Sequence, residues 1–245
     1  MDNASYVSLT RQSGLMKELT SIANNMANAN TIGYKREGAI FSEYIVAAQG
    51  GGSATDPKES LSMGRLSAHA SNMLPGSLRS TGGDFDVAIE GDGFFLVDIG
   101  GETQLTRAGH FMVSAEGILI NTEGNPVLDN AEGQIQIPAE ASRINIGYDG
   151  VLSADGAEIG RLGVVTADPD TLSRAGSNNW KAPEGFQPFE NSKVLQGFLE
   201  DSNVQPVIEM ARMIEVQRHY DAGQKLLEME DDRIKQVITT IRQTG

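Results

Sequence analysis

The two ends of this chain constrain it most. Each is poor in glycine and carries apolar residues at helical spacing, and neither stripe can be buried by its own helix. In the first, roughly residues 4–29, Leu15, Leu19, Ile22 and Met26 recur at steps of four, three and four, with Leu9, Met16 and Ala23 at seven-residue steps beside them. The spacing predicts an amphipathic helix about 37 Å long at 1.5 Å per residue. It should end near Ala29-Asn30-Thr31-Ile32-Gly33, where Asn and Gly tolerate left-handed backbone and β-branched residues disfavour continuation. At the other end, over residues 206–243, Met213, Tyr220, Leu227, Ile234 and Ile241 lie seven apart. Val216 and Val237 fall at the d position of the same register, which Gly223 and Glu230 interrupt. Pro206 sits where a first helical residue tolerates the missing N–H, and the helix would run about 57 Å. Its polar face, including Glu209, Arg212, Glu215, Arg218, Lys225 and Glu228, is expected to point outward. A heptad also suits an ordinary core-facing helix, but five consecutive apolar a positions favour a coiled-coil seam.

The middle is a different material. Residues 48–83 are rich in Ala, Gly and Ser and read, within a span of 36–83, as a linker or extended arm. From 84 to 199 short apolar runs alternate with turn residues, as in Phe85-Asp86-Val87-Ala88-Ile89, Phe94-Phe95-Leu96-Val97 and Gln134-Ile135-Gln136-Ile137. Seven acidic-Gly dipeptides, from Glu90-Gly91 to Asp155-Gly156, punctuate the first part, with Gly supplying positive φ and the acid staying in water. The expected fold is α+β: residues 1–35 and 200–245 as N- and C-terminal helices forming a coiled-coil stalk, around a central all-β antiparallel domain over 84–199. An isolated helix of this size is marginal in water, so the two ends are expected to pack together and to invite neighbouring copies.

Charge and composition remove whole classes of function. The net charge is −14, and most of the acidic excess lies between residues 82 and 163, a surface that would repel a phosphate backbone. With no Cys there are no disulfides, thiol nucleophiles or thiolate metal sites. The opening Met1-Asp2-Asn3-Ala4-Ser5 lacks a basic n-region followed by an apolar stretch, so no Sec-type signal is expected, and no window suits a membrane span. Histidines 69, 110 and 219 stand apart without metal-ligand spacing. Gly91-Asp92-Gly93 leads into strand-like sequence and reads as a turn, not a phosphate loop. The acids at 84, 86, 90 and 92 miss the EF-hand pattern, with Ala88 and Ile89 where a ligand and a Gly belong. No active site, cofactor, metal or small-molecule substrate is read.

Three ordered motifs carry a resemblance. Ile22-Ala23-Asn24-Asn25-Met26-Ala27-Asn28-Ala29-Asn30-Thr31-Ile32-Gly33-Tyr34-Lys35 resembles the N-terminal motif of the flagellar rod and hook proteins. Asp86-Val87-Ala88-Ile89-Glu90-Gly91-Asp92-Gly93-Phe94-Phe95 with Leu105-Thr106-Arg107-Ala108-Gly109-His110-Phe111 resembles their β-domain motif. Gly197-Phe198-Leu199-Glu200-Asp201-Ser202-Asn203-Val204-Gln205-Pro206-Val207 is similar to their C-terminal one. The length suits a mid-sized rod protein, and the opening residues with Arg36–Ile45 look most like the proximal, F-type branch; the distal-rod branch stays open. In one departure, Gln205 stands where the family commonly has an N-capping Asp, Asn or Ser, with Asn203 or Ser202 able to compensate.

The resemblance implies a structural subunit of the periplasm-spanning rod of the flagellar basal body. It would leave the cytoplasm through the flagellar type III export apparatus without a cleaved signal peptide, and polymerise with other copies of itself and with neighbouring rod proteins. The expected subunit interface is the two stripes, Leu15, Leu19, Ile22, Met26, Met213, Tyr220, Leu227, Ile234 and Ile241, with Gly33 and four amides, Asn24, Asn25, Asn28 and Asn30. Asn lowers helix propensity, so four within seven residues suggest amides bonding between subunits and setting their register. Two rival readings remain: a secreted β-rich enzyme or carbohydrate binder with helical oligomerisation ends, and a membrane-surface binder, against which the mixed signs on the C-terminal face speak.

Overall fold

The computed structural model describes residues 3–47, 60–176, 178–189 and 193–244, with side chains 3–8, 39–70, 237, 241, 243 and 244 outside the description. Helix α1 spans Asn3–Ala27 and helix α2 Pro206–Thr244. Between them the described residues form seventeen strands. These begin with β1 Glu37–Ala47, β2 Ser60–Ser71, β3 Leu78–Ser80, β4 Val87–Glu90, β5 Phe94–Ile99 and β6 Glu102–Thr106. There follow β7 Phe111–Val113, β8 Leu119–Asn121, β9 Ile144–Ile146, β10 Val151–Ala154, β11 Ala157–Arg161 and β12 Val164–Thr166. The last are β13 Ser173–Arg174, β14 Asn179–Lys181, β15 Gln187–Pro188, β16 Lys193–Gln196 and β17 Phe198–Glu200. The chain divides into a helical unit, residues 1–27, 37–71 and 205–245, and a β unit, residues 28–36 and 72–204.

In the helical unit α1 packs against α2, and β1 and β2 form one long antiparallel ribbon from Glu37↔Ser71 to Ala47↔Ser60. This ribbon occupies much of the 36–83 span read as a linker or arm; residues 48–59 of that span lie outside the described residues. A register shift between Ile40 and Phe41 lets Ser67 stand unpaired against β1. That extra residue moves the apolar positions of β2 from 61 and 63 to 66, 68 and 70, so no single period-2 count finds the strand. Helix α2 opens with Glu209 N donating to Gln205 O at 3.0 Å, so Gln205 supplies its carbonyl as N-cap.

The β unit is built on a six-stranded sheet in the order β13-β14-β6-β5-β12-β15, flanked by a three-stranded sheet β11-β10-β9 and three two-stranded pairs, all antiparallel. Strand β5 explains the unbroken apolar run at 94–97. Phe95 and Val97 enter one buried cluster with Val87, Phe111, Leu119, Ile135 and Leu152, while Phe94 and Leu96 enter another with Leu105, Val165 and Trp180. A strand covered on both faces has no polar side to display. The β10–β11 hairpin is closed by an acidic-Gly turn: Asp155 (φ 49°) and Gly156 (φ 89°) both adopt left-handed backbone, as a primed two-residue turn requires. On the outer edge of β9, the Gln196 side chain stands in for a further strand. Its Oε1 accepts from Ile146 N at 3.1 Å and its Nε2 donates to Ile144 O at 3.1 Å and to Asp84 O at 2.8 Å.

Candidate functional site

The helical faces come first. On α2 the residues turned toward cover are Glu209, Arg212, Met213, Val216, Tyr220, Gly223, Leu227 and Glu230, all but Arg212 at a and d positions of the heptad. Met213, Tyr220 and Leu227 are half-buried, Ile234 is exposed, and the Ile241 side chain lies outside the described residues. Glu209, expected on the outward polar face, is instead only 1% exposed. On α1, Ile22 is buried and Leu15, Leu19 and Met26 are half-buried, while Leu9 and Met16 are exposed. The deepest α1 positions are Gly14, Glu18, Ser21, Ile22 and Asn25, so the covered face lies rotated from the apolar stripe by about one residue, or 100°.

Polar pairing accounts for that rotation. Arg212 donates from Nε and Nη2 to Glu18 Oε1 at 3.0 and 2.8 Å, and Asn25 Nδ2 donates to Glu209 Oε2 at 3.3 Å. Asn25, 0% exposed, also brackets the backbone of Glu37, accepting from its N and donating to its O, both at 2.8 Å. A buried carboxylate or amide is tolerated only when so partnered. The Asn25 amide is thus used inside the chain. Asn24 and Asn30 are exposed, and Asn28, half-buried, accepts from Thr31 Oγ1 at 3.1 Å.

Within the β unit, residues from all three sequence motifs meet at one carboxylate. Lys35 and Glu200 side chains, 1% and 2% exposed, pair at 2.6 Å, and Arg107 Nε lies 2.9 Å from the other Glu200 oxygen. Arg107 also donates to Gly93 O and Gly91 O at 2.7 and 2.6 Å, and Lys35 Nζ to Leu74 O at 2.9 Å. Burial lowers the pKa of Lys35 and of Arg107 from their ordinary values, with Glu200 pulling each back up. Gly33, buried and left-handed at φ 67°, sets its backbone against Arg107: a Cβ there would stand 2.4 Å from the Arg107 carbonyl carbon. Arg174 stacks over Tyr34 and Trp180 at 4.8 and 5.5 Å and donates to Lys35 O at 2.6 Å. Each of these charges, read in isolation along the sequence, passes for an ordinary surface residue. For Lys35, Arg107 and Glu200, position inside the motifs is the signal that could have found them; Arg174 lies in none of the motifs.

Chemistry is not prominent elsewhere. Among the described residues no three His, Cys, Asp or Glu gather as a metal site, and no helix is long and apolar enough to cross a membrane. His110 Nδ1 pairs with Asp86 at 2.5 Å, and His219 lies 4.0 Å from Glu215.

Comparison with known proteins agrees with this layout. A family model described as the flagellar hook protein FlgE/F/G D1 domain matches residues 88–154, and one described as the flagellar basal body rod FlgEFG protein C-terminal matches residues 195–240. The chain is 40% identical over 232 residues to the flagellar basal-body rod protein FlgF of Caulobacter vibrioides, with 93% of each chain covered. It is 34% identical over 245 residues to FlgF of Mesorhizobium japonicum, with 98% of each covered. To FlgG of Bacillus subtilis it is 32% identical over 260 residues, with 97% of this chain and 98% of the relative covered.

Proposed function

This chain belongs to the flagellar basal-body rod protein family and is a structural subunit of the rod in the flagellum basal body, and we propose that it builds the proximal rod by packing its terminal helices against those of neighbouring subunits. The observation that carries the proposal is where apolar side chains remain uncovered. Of the fifteen large hydrophobic residues exposed among the described residues, ten lie on α1 and α2, among them Leu9, Met16, Val207, Met210, Leu226 and Met229. Each square ångström of such surface left wet forgoes about 25 cal/mol, so other subunits are the natural cover. In this reading the a and d seam of α2 from Glu209 to Glu230 is covered within the chain by α1. The flanks of both helices then complete a coiled-coil core with other copies and other rod proteins. Contacts that join different patches and do not close generate a helical axle, through which torque passes from motor base to hook.

Of the residues expected at the interface, Asn24, Asn30 and Ile234 are exposed and are proposed to face neighbours. Export through the flagellar type III apparatus belongs to the same proposal and is supported by family membership. Replacing Leu226 and Met229 together by Ser tests the reading in cells. Basal bodies are expected to stop before the distal rod under electron microscopy, while the purified variant keeps its helical circular dichroism. Complete basal bodies in that strain would defeat it.

A further inference from the structure

The chain passes between the helical and β units at four peptide bonds, after residues 27, 36, 71 and 204. On the β-unit side these passages belong to three segments, 28–36, the stretch from 72, and the stretch ending at 204. All three are tied side by side. Glu200 Oε1 accepts from Lys35 Nζ at 2.6 Å and from Gly76 N at 2.8 Å, and Glu200 O accepts from Gly33 N at 2.7 Å. Asn203 Oδ1 accepts from Arg36 N at 2.7 Å, while its Nδ2 donates to Asn72 O and Leu74 O, both at 2.8 Å. Asn72 N donates to Arg36 O at 2.8 Å, and Asn203 N to Tyr34 O at 3.3 Å. Arg107, held by the carbonyls of residues 91 and 93, anchors the second Glu200 oxygen to the sheet.

We propose that Glu200 and Asn203 form a clamp that makes these segments yield together, so that force arriving through the helices enters the β unit along parallel paths. A core of this size does not need three charges in it: a buried ion cluster is a poor source of net stability. What this one does is bind otherwise separate strands of chain to a single carboxylate. Breaking a tie frees nothing until the others open, which is the behaviour of one cooperative unit. The clamp itself follows from the β unit alone; only the source of the force rests on the rod reading.

Hydrogen exchange on the full chain tests the clamp. The amides of Gly33, Arg36, Asn72, Gly76 and Asn203 are expected to share one opening rate. In Glu200→Gln, which strands two buried cations, that rate should rise about a hundredfold or more, while the Leu96 and Leu128 amides remain the slower set. Asn203→Ala, which removes bonds without removing charge, should raise the same set together by a smaller factor. Independent rates in the unaltered chain, or acceleration of one segment only, would overturn the clamp. So would one shared rate for the clamp amides and those of Leu96 and Leu128 in the unaltered chain, since Glu200 would then serve the core as a whole. Swimming speed against medium viscosity tests the force path separately. A Glu200→Gln strain should match its parent in dilute buffer and fall behind as viscosity rises. Matched speeds throughout, with the exchange result intact, would remove the mechanical role while leaving the clamp.

Discussion

Substituting Ala for Gly33 separates two costs that usually travel together. Gly33 sits at φ 67° with its Cα against the Arg107–Ala108 backbone, and Gly100 sits at φ 66° with nothing within 4 Å of the place a Cβ would take. The left-handed backbone alone costs an L-residue about 1–2 kcal/mol, partly offset by the stiffer unfolded chain. Gly100→Ala should therefore lose about 1 kcal/mol. In Gly33→Ala the new methyl would meet the Arg107 carbonyl carbon at 2.4 Å and Ala108 N at 2.6 Å, and these are main-chain atoms that cannot swing aside. Overpacking of that kind adds about 1–3 kcal/mol. Moving the backbone apart also endangers the 2.7 Å bond from Gly33 N to Glu200 O, worth about 1 kcal/mol. A total loss of about 3–5 kcal/mol follows for Gly33→Ala. Urea unfolding followed by the fluorescence of Trp180, buried in the β unit, measures both variants on one scale. Equal losses at the two positions, with unchanged m-values, would show that the close approach at Gly33 carries no energy.

Three further outcomes are expected. Asn25→Ala should lower the stability of the purified chain by about 2–3 kcal/mol, because the Glu37 backbone and Glu209 lose a buried partner; Asn24→Ala, at an exposed position proposed to face neighbours, should impair rod assembly. In α2, Val216→Ala removes a side chain 4% exposed and should cost about 1–2 kcal/mol by thermal unfolding, whereas Ile214→Ala, at 47% exposed, should cost under about 0.5 kcal/mol. Lys35, its pKa depressed first by burial and further by the Arg107 charge, binds its proton less readily folded than unfolded. Stability measured against Lys35→Met should therefore rise as pH climbs toward the ordinary lysine value of 10.5, with Arg107 still satisfying Glu200, and a falling difference would contradict this.

Periodicity made the helix-β-helix order legible, and the short apolar run at 94–97 was readable as a strand, though not that both of its faces are covered. The same counting misjudged which side of α1 is covered and sent Glu209 of α2 outward, although it placed the covered side of α2 at the a and d positions. It assigns charged and amide residues to solvent, and Glu18, Asn25 and Glu209 defeat it because their partners stand far along the chain, Asn25 and Glu209 being 184 residues apart. The β1–β2 ribbon escaped for a local reason: the unpaired Ser67 switches the alternation halfway, and small residues dilute what remains. Lys35, Arg107 and Glu200 were visible as motif letters, but pattern alone does not reveal that three separated charges share one dry place. Only the folded chain brings Lys35 and Glu200, 165 positions apart, to 2.6 Å.

The amide of Gln196 has a bearing on crowding. Subunits in an axle stand shoulder to shoulder at very high local concentration, the setting in which bare sheet margins knit to one another without limit. By filling the donor and acceptor slots of Ile146 and Ile144 with its own side chain, the molecule seals the β9 margin from within. Lateral zippering is denied a template there, in keeping with the proposal that subunits join through their helices.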